Sequence, residues 1–116
     1  MGWKESKQAF QYALPYEQVF QAAMAAVPMV PKAVLTSADV NARFITFDTP
    51  TSFTSYGENI VVGFIPSETG VIVEVTCATK GKPNLMQDGR NRKKIKQYID
   101  GLSGILQVSA TEVIPS

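Results

Sequence analysis

One basic segment of the sequence combines residue types that could bind an anion. Residues 80–106 hold seven of the eleven Lys and Arg residues of a chain whose net charge is +1. Cations crowded at the start of a helix oppose the helix dipole, and a bound anion would relieve that cost. We therefore predict contact with an anionic group or an acidic protein surface, with a solvated helix face as the alternative. The residues predicted to bind this partner are Lys80, Lys82, Arg90, Asn91, Arg92, Lys93 and Lys94.

The aromatic residues argue against stacking of single-stranded nucleic acid, and the strand charges argue against sequence-specific DNA as the partner. Surfaces that bind single strands interleave aromatic and basic side chains, so that bases can stack between the cations. The basic segment contains one aromatic residue, Tyr98, which falls on the predicted core face of a helix. The predicted strands, where a saddle-shaped DNA-binding sheet would make its contacts, carry mostly acidic charges.

The set of reactive side chains favours a non-catalytic protein. The chain has no histidine and one cysteine, Cys77, which removes the usual general base, the commonest metal ligand and any internal disulfide. The carboxylates are spread over separate turns and strands, and no spacing pairs two of them. We predict no catalytic residue, no metal and no cofactor, and we interpret Cys77 as a buried thiol rather than a nucleophile.

Length and composition predict one domain, residues 1–116, with an ordered core at 5–106 and a tail at 107–116. A chain of this length can bury a core without disulfides or metals, and 45% hydrophobic with 18% charged residues is a globular balance. No apolar run reaches the roughly 20 residues that span a bilayer. Residues 1–15 lack the apolar stretch of a signal peptide, so a cytoplasmic location is expected, with no transmembrane segment.

Two amphipathic helices must position these residues. The first is predicted over residues 15–27, because Pro15 suits the first helical position and apolar residues then recur at steps of three and four. The second follows Asp88, a good N-cap. Gly101 and Gly104 each cost about 1 kcal/mol in a helix interior, which indicates close approach to the sheet or frayed last turns. The apolar face of the second helix consists of Ile95, Tyr98, Ile99, Leu102, Ile105 and Leu106.

Strands are predicted where apolar and polar residues alternate between turn formers. Residues 67–70 join the two strongest strands as a hairpin. Neighbouring strands that are close in sequence favour an antiparallel meander. The tail is predicted to form a short strand or to stay loose. The five predicted strands cover residues 4–14, 32–37, 43–49, 59–66 and 70–79.

The element order β-α-β-β-β-β-α predicts the α+β fold class. In this fold an antiparallel sheet of about five strands is covered by two helices packed on one face. The topology resembles one repeat of the TATA-box-binding-protein fold and, more loosely, the helix-grip architecture, over about residues 5–106. The resemblance is one of topology, and fold does not carry function, so no site is transferred from it.

A second resemblance is carried by two short motifs. Ser55-Tyr56-Gly57-Glu58 leads into a predicted strand, and Gly89-Arg90-Asn91 opens the last helix. Both are similar to motifs in a family of small uncharacterised bacterial α+β proteins. The resemblance implies the same fold and no established reaction.

One predicted strand is apolar on both faces. Residues 60–65 read Ile-Val-Val-Gly-Phe-Ile, whereas a sheet with one solvated face alternates apolar and polar residues. Three explanations are open: a homodimer through the sheet face, a ligand groove between sheet and C-terminal helix, or burial by long neighbouring side chains. The groove would be formed by Phe20, Ile99 and Leu102.

These patterns lead to two functional predictions. The first is a non-catalytic small binding or interaction domain whose basic segment contacts an anionic group or an acidic partner surface. The alternative is a hydrophobic small-ligand carrier of the helix-grip type. A cavity between Phe20, Ile99 and the strands would favour the carrier, and a filled core would favour the interaction domain.

Overall fold

The structure is a computed structural model that describes residues 5–50, 57–81 and 87–114. The predicted α+β class and the order β-α-β-β-β-β-α are confirmed, with two helices packed on an antiparallel sheet. The sheet has six strands because part of the tail forms an additional one. The elements are β1 (Glu5–Tyr12), α1 (Tyr16–Ala26), a short 3₁₀ helix (Val27–Met29), β2 (Val34–Asp39), β3 (Phe44–Asp48), β4 (Glu58–Ser67), β5 (Gly70–Thr79), α2 (Gln87–Leu106) and β6 (Thr111–Val113).

The strands lie in the order β2-β3-β4-β5-β1-β6, and all neighbours are antiparallel. β4 and β5 form the predicted hairpin, in which Ser67 lies opposite Gly70. β1 pairs along the free edge of β5, from Glu5 opposite Ala78 to Tyr12 opposite Val71. The chain after α2 then adds β6 to the other edge of β1. The C-terminal segment is therefore brought next to the first strand.

The core lies between the two helices and one face of the sheet. Every second side chain of β5 is buried, and those between are partly exposed, as predicted from the alternation of the sequence. Each fully buried aliphatic or aromatic side chain contributes about 1.5–3 kcal/mol to folding. The inner face of the sheet carries the buried Ile60, Val62 and Phe64 of β4 and Val71, Val73, Val75 and Cys77 of β5. The outer face carries the residues between them.

The two helices pack against each other as well as against the sheet. The Tyr98 hydroxyl of α2 donates a hydrogen bond of 2.8 Å to the Ala23 carbonyl oxygen of α1, and the Tyr98 ring lies 5.2 Å from the Phe47 ring. A Cβ on Gly101 would lie 2.9 Å from Met29 Cβ. The close approach indicated by this glycine is therefore to the 3₁₀ helix and not to the sheet.

Candidate functional site

A cleft of about 540 Å³ lies between α2, β1 and the C-terminal segment. We call it the α2 cleft. Its α2 residues are related by steps of three and four, as in 92–96–100 and 96–99–103, so they lie along one side of the helix. The residues that line it are Gln8, Phe10, Arg92, Lys96, Ile99, Asp100, Ser103, Ser109, Ala110 and Glu112.

The floor of the α2 cleft is apolar. Ile99 is buried on α2, while Phe10 of β1 and Ala110 of the C-terminal segment are partly buried and pack against the core. The three side chains come from different elements, so the floor exists only when the C-terminal segment returns to β1. An apolar floor of this kind suits the hydrocarbon or aromatic part of a ligand.

The α2 rim of the cleft carries two cations in exposed ion pairs. Arg92 Nε donates to Asp88 Oδ2 at 2.9 Å, and Lys96 Nζ donates to Asp100 Oδ2 at 2.8 Å. Exposed pairs of this type are worth about 0–1 kcal/mol. Both cations can therefore exchange their carboxylate for the anionic group of a ligand at small cost.

The opposite wall is held in place by backbone geometry and one side-chain contact. Gln107 has a φ of 59°, the left-handed conformation that commonly ends a helix, and it turns the chain back toward β1. Val108 N then donates to Ser103 O at 3.3 Å. Farther along, Gln8 Nε2 donates to Glu112 Oε2 at 3.2 Å. The wall is thus attached to the sheet by a short strand and a polar side-chain bond.

Asp88 connects β1 to the first turn of α2. It was predicted as the N-cap and lies within the first turn, where a negative charge favours the helix dipole. Hydrogen bonds from the Ser6 hydroxyl and then from Arg92 hold the pKa of the Asp88 carboxyl below its usual value. The carboxylate therefore stabilises the fold above the pKa of the unfolded chain, and this contribution is lost as the pH falls through the folded pKa.

The residues predicted to bind an anion are placed in several environments. Lys80 Nζ lies 3.3 Å from Asp48 Oδ2, Lys93 is exposed and Lys94 is partly buried. Arg90 is partly buried, and its Nε has no hydrogen-bond partner within the described part of the chain. Arg92 lines the α2 cleft, and Lys82 lies outside the described residues. Anion binding by this surface stays a prediction.

Asn91 differs from its basic neighbours because it is 0% exposed. It belongs to a buried polar cluster beneath the start of α2, in which Gln87 Nε2 donates to Asn91 Oδ1 at 2.8 Å and Cys77 Sγ lies 3.5 Å from the same oxygen. Nearby, Thr49 Oγ1 donates to the buried Glu58 carboxylate at 2.6 Å. The two sequence motifs each supply one residue of these contacts, Glu58 and Asn91, and buried polar groups with partners help to fix one arrangement of the core.

Cys77 has the environment of an inert thiol. Burial, the nearby Glu58 charge and an opposing contribution from Lys94 together raise the pKa of Cys77 to about 12, so the thiol is protonated at neutral pH.

We predict that Cys77 in the native protein reacts with Ellman's reagent only as fast as the protein unfolds, and that it reacts at once in urea. The absorbance of the released thiolate measures both rates. Immediate reaction in the absence of urea would contradict this assignment.

The three residues predicted to form a ligand groove have different surroundings in the described structure. Phe20 packs in an aromatic cluster, with its ring 5.3 Å from that of Phe64 and 5.8 Å from that of Tyr16. Leu102 is fully buried in the core, and Ile99 lines the α2 cleft. A groove formed by all three residues stays a prediction, and the α2 cleft adds residues of β1 and the C-terminal segment that the sequence analysis did not propose. The β bias of the tail was the signal for that wall.

The outer face of the sheet also exposes apolar side chains. Val61 is 39% exposed and Ile65 is 48% exposed, although both belong to β4, which lies in the middle of the sheet. Ile72 lies beside Ile65 and is partly exposed. The second apolar face predicted from residues 60–65 is thus open within one chain.

Two further observations concern the described residues. No helix among them is long and apolar enough to cross a membrane. In the same part of the chain, no three His, Cys, Asp or Glu residues are grouped in a way that could hold a metal ion.

Comparisons by sequence give no match: neither a protein-family model nor a curated protein matches this chain. Solved structures do match. Protein MLL2253 from Mesorhizobium loti has a TM-score of 0.66 at 11% identity, with 89% of this chain and 96% of that chain covered. TTHA0849 from Thermus thermophilus has a TM-score of 0.58 at 14% identity, with 89% and 97% covered. Ara h 8.0201 has a TM-score of 0.61 at 13% identity, also with 89% and 97% covered.

Similarity at these identities shows the fold alone. The chain has a helix-grip-like α+β fold, in agreement with one of the two topological resemblances. The resemblance to a repeat of the TATA-box-binding-protein fold is not confirmed. Function has to be argued from the α2 cleft and the surfaces of this chain.

Proposed function

We propose that this protein is a non-catalytic binding domain that holds an amphipathic small molecule with an anionic group in the α2 cleft. The observation that carries the proposal is the combination of an apolar floor with two exchangeable cations on one rim. The floor formed by Phe10, Ile99 and Ala110 takes the apolar part of the ligand. Arg92 and Lys96 take its anionic group.

The charge of α2 supports an anionic rather than a cationic ligand. The described helix carries Arg90, Arg92, Lys93, Lys94 and Lys96 against Asp88 and Asp100. The net charge of α2 is therefore +3, and an excess of cations raises the local concentration and the association rate of anions. The cleft lining itself holds Asp100 and Glu112 beside Arg92 and Lys96, so the anionic group has to be bound next to the two cations. This role joins the predicted basic surface to the predicted ligand carrier in one site.

The proposal is tested by titrating the protein with dodecanoate, a probe with one carboxylate and an apolar chain. Ala110→Trp fills the cleft from its C-terminal wall and is expected to weaken binding at least tenfold, about 1.4 kcal/mol. Lys96→Gln removes one rim cation and is expected to weaken binding about fivefold, in line with an exposed charge pair. Isothermal titration calorimetry measures both affinities.

Lys93→Gln is the matched control, because Lys93 is an exposed cation of the same helix that does not line the cleft. It is expected to leave the affinity for dodecanoate within a factor of about two, since an exposed charge outside the site contributes only a screened field. Equal affinity for dodecanoate in the wild type, Ala110→Trp and Lys96→Gln would contradict the proposal. Equal losses of affinity in Lys96→Gln and Lys93→Gln would show that the rim cations act only through a non-specific charge effect.

We propose a second binding role for the outer face of the sheet, as a contact surface for another protein chain. Contiguous exposed apolar side chains on a soluble domain mark partner surfaces. Ile65 and Ile72 are such neighbours, and Val61 is exposed on the same face of β4 on the other side of Gly63, although a solvated face of an antiparallel sheet would carry polar residues at these positions.

A further inference from the structure

We infer that the partner of the outer face is a second copy of this chain, which packs sheet against sheet around Gly63. The inference rests on the binding role proposed above for this face and names its occupant. It is independent of the α2 cleft, which opens on the helix side of the sheet.

Gly63 is a glycine that the fold of the single chain does not require. A Cβ built on it meets no atom within 4 Å, and its φ is not among the positive values of the described glycines. Glycine inside a strand costs about 0.5–1 kcal/mol relative to alanine. A strand glycine without an intramolecular reason indicates that another backbone or side chain approaches there.

Gly63 forms a notch between two exposed apolar side chains of β4. Along β4 it lies between Val61 and Ile65, and across the sheet it lies opposite Phe44 of β3 and Glu74 of β5. A groove of about 340 Å³ follows on the side of β1, with Ala9, Ile65, Ile72 and Val113 in its lining. These exposed side chains beside a notch and a groove allow the side chains of one copy to fit between those of another.

The charges on this face fit a second copy better than a strongly charged partner. Lys7 Nζ lies 3.7 Å from Glu74 Oε2, so the face presents both signs side by side. A two-fold axis can place Lys7 of one copy near Glu74 of the other, and both charges remain paired. A partner of one sign would face a like charge, which suppresses association.

The size of the face is that of a modest dimer interface. The strands β3, β4, β5 and β1 hold 5, 10, 10 and 8 residues. At roughly 3.3 Å per residue and about 4.8 Å between strands, they give the face a projected area of about 500 Å². Two copies of this face bury about 1,000 Å² in total, which is the lower limit for a specific interface and below the roughly 1,600 Å² of a standard one.

The test is sedimentation velocity of the full chain over a wide range of concentration. The wild type is expected to show a concentration-dependent species of twice the 12.6 kDa chain mass. Gly63→Lys places a charge in the notch without an intramolecular clash, and it is expected to raise the dimer dissociation constant about a hundredfold. Gly104→Lys is the matched control, because a Cβ on Gly104 also meets no atom within 4 Å but lies on α2, and it is expected to dimerise like the wild type.

Ile65→Gln is a second variant that changes an exposed side chain and leaves the core intact, so it keeps the test valid if Gly63→Lys folds poorly. It is expected to raise the dissociation constant about tenfold through lost apolar contact. A wild type that stays monomeric at the highest concentration overturns the homodimer. A dimer that persists equally in Gly63→Lys and Ile65→Gln overturns the choice of this face for the dimer. Dodecanoate affinity is unchanged in either case, so failure here is distinct from failure of the α2 cleft.

Discussion

Gly70→Ala is expected to lower the free energy of unfolding by about 3 kcal/mol. Gly70 has a φ of 144°, and a Cβ on it would lie 2.1 Å from the Tyr12 carbonyl oxygen. The backbone of β1 or the β4–β5 hairpin must shift to admit the methyl group, and the ladder between β1 and β5 loses its end pair. Urea unfolding followed by circular dichroism measures the change.

Gly104→Ala is the matched control for this substitution. It adds the same methyl group at a helical glycine where a Cβ meets no atom within 4 Å. Because alanine is favoured over glycine in a helix, the free energy of unfolding is expected to rise by up to about 1 kcal/mol. A loss below about 1 kcal/mol for Gly70→Ala would show that the hairpin tolerates a side chain at this position and that the described geometry is wrong there.

Asn91→Ala is expected to lower the free energy of unfolding by about 3 kcal/mol. The substitution removes the acceptor of the Gln87 amide and of the Cys77 thiol, both buried. A buried polar group left without a partner costs about 1–3 kcal/mol, and Gln87 is 1% exposed. Urea unfolding provides the measurement, with loss of native signal at lower urea.

Lys93→Ala provides the comparison on the same helix. Lys93 is exposed, and surface substitutions of this kind usually change stability by less than about 0.5 kcal/mol. If Asn91→Ala were as mild as Lys93→Ala, the buried cluster beneath α2 would not contribute to stability.

The fold could be predicted from local sequence patterns because its elements agree with them. β5 alternates valine and cysteine with residues that face outward, and this alternation alone gives its bounds and its buried face. α1 starts after Pro15 and shows an apolar stripe at helical spacing. Secondary structure can be predicted from a sequence when the local pattern agrees with the global fold, as it does in these two elements.

The candidate site could be predicted only in part because it depends on contacts between distant segments. Arg92 and Ile99 were recognised as a cation and an apolar helix residue. Phe10 and Ala110 are joined to them by the pairing of β6 with β1, which matches Phe10 with Glu112. Nothing in the local sequence near either segment specifies that pairing.

The helical period predicts that Asn91 is buried, although its neighbours in the sequence are charged. Asn91 is four residues before Ile95, which is seven before Leu102, so the three residues lie on one face of α2. The face continues into the core, where all three are buried. Position on the helix therefore decides the environment of this residue, and the charge of its neighbours does not.

The central claim is that the α2 cleft binds an anionic amphiphile, and amide chemical shifts test it most directly. Dodecanoate is titrated into ¹⁵N-labelled protein, and the shifted amides are mapped on the structure. We predict the largest amide shift changes at Phe10, Ile99 and Ala110, and only a small change at Lys93. Changes centred on Ile65 and Ile72 of the outer face, or no changes at all, would contradict it.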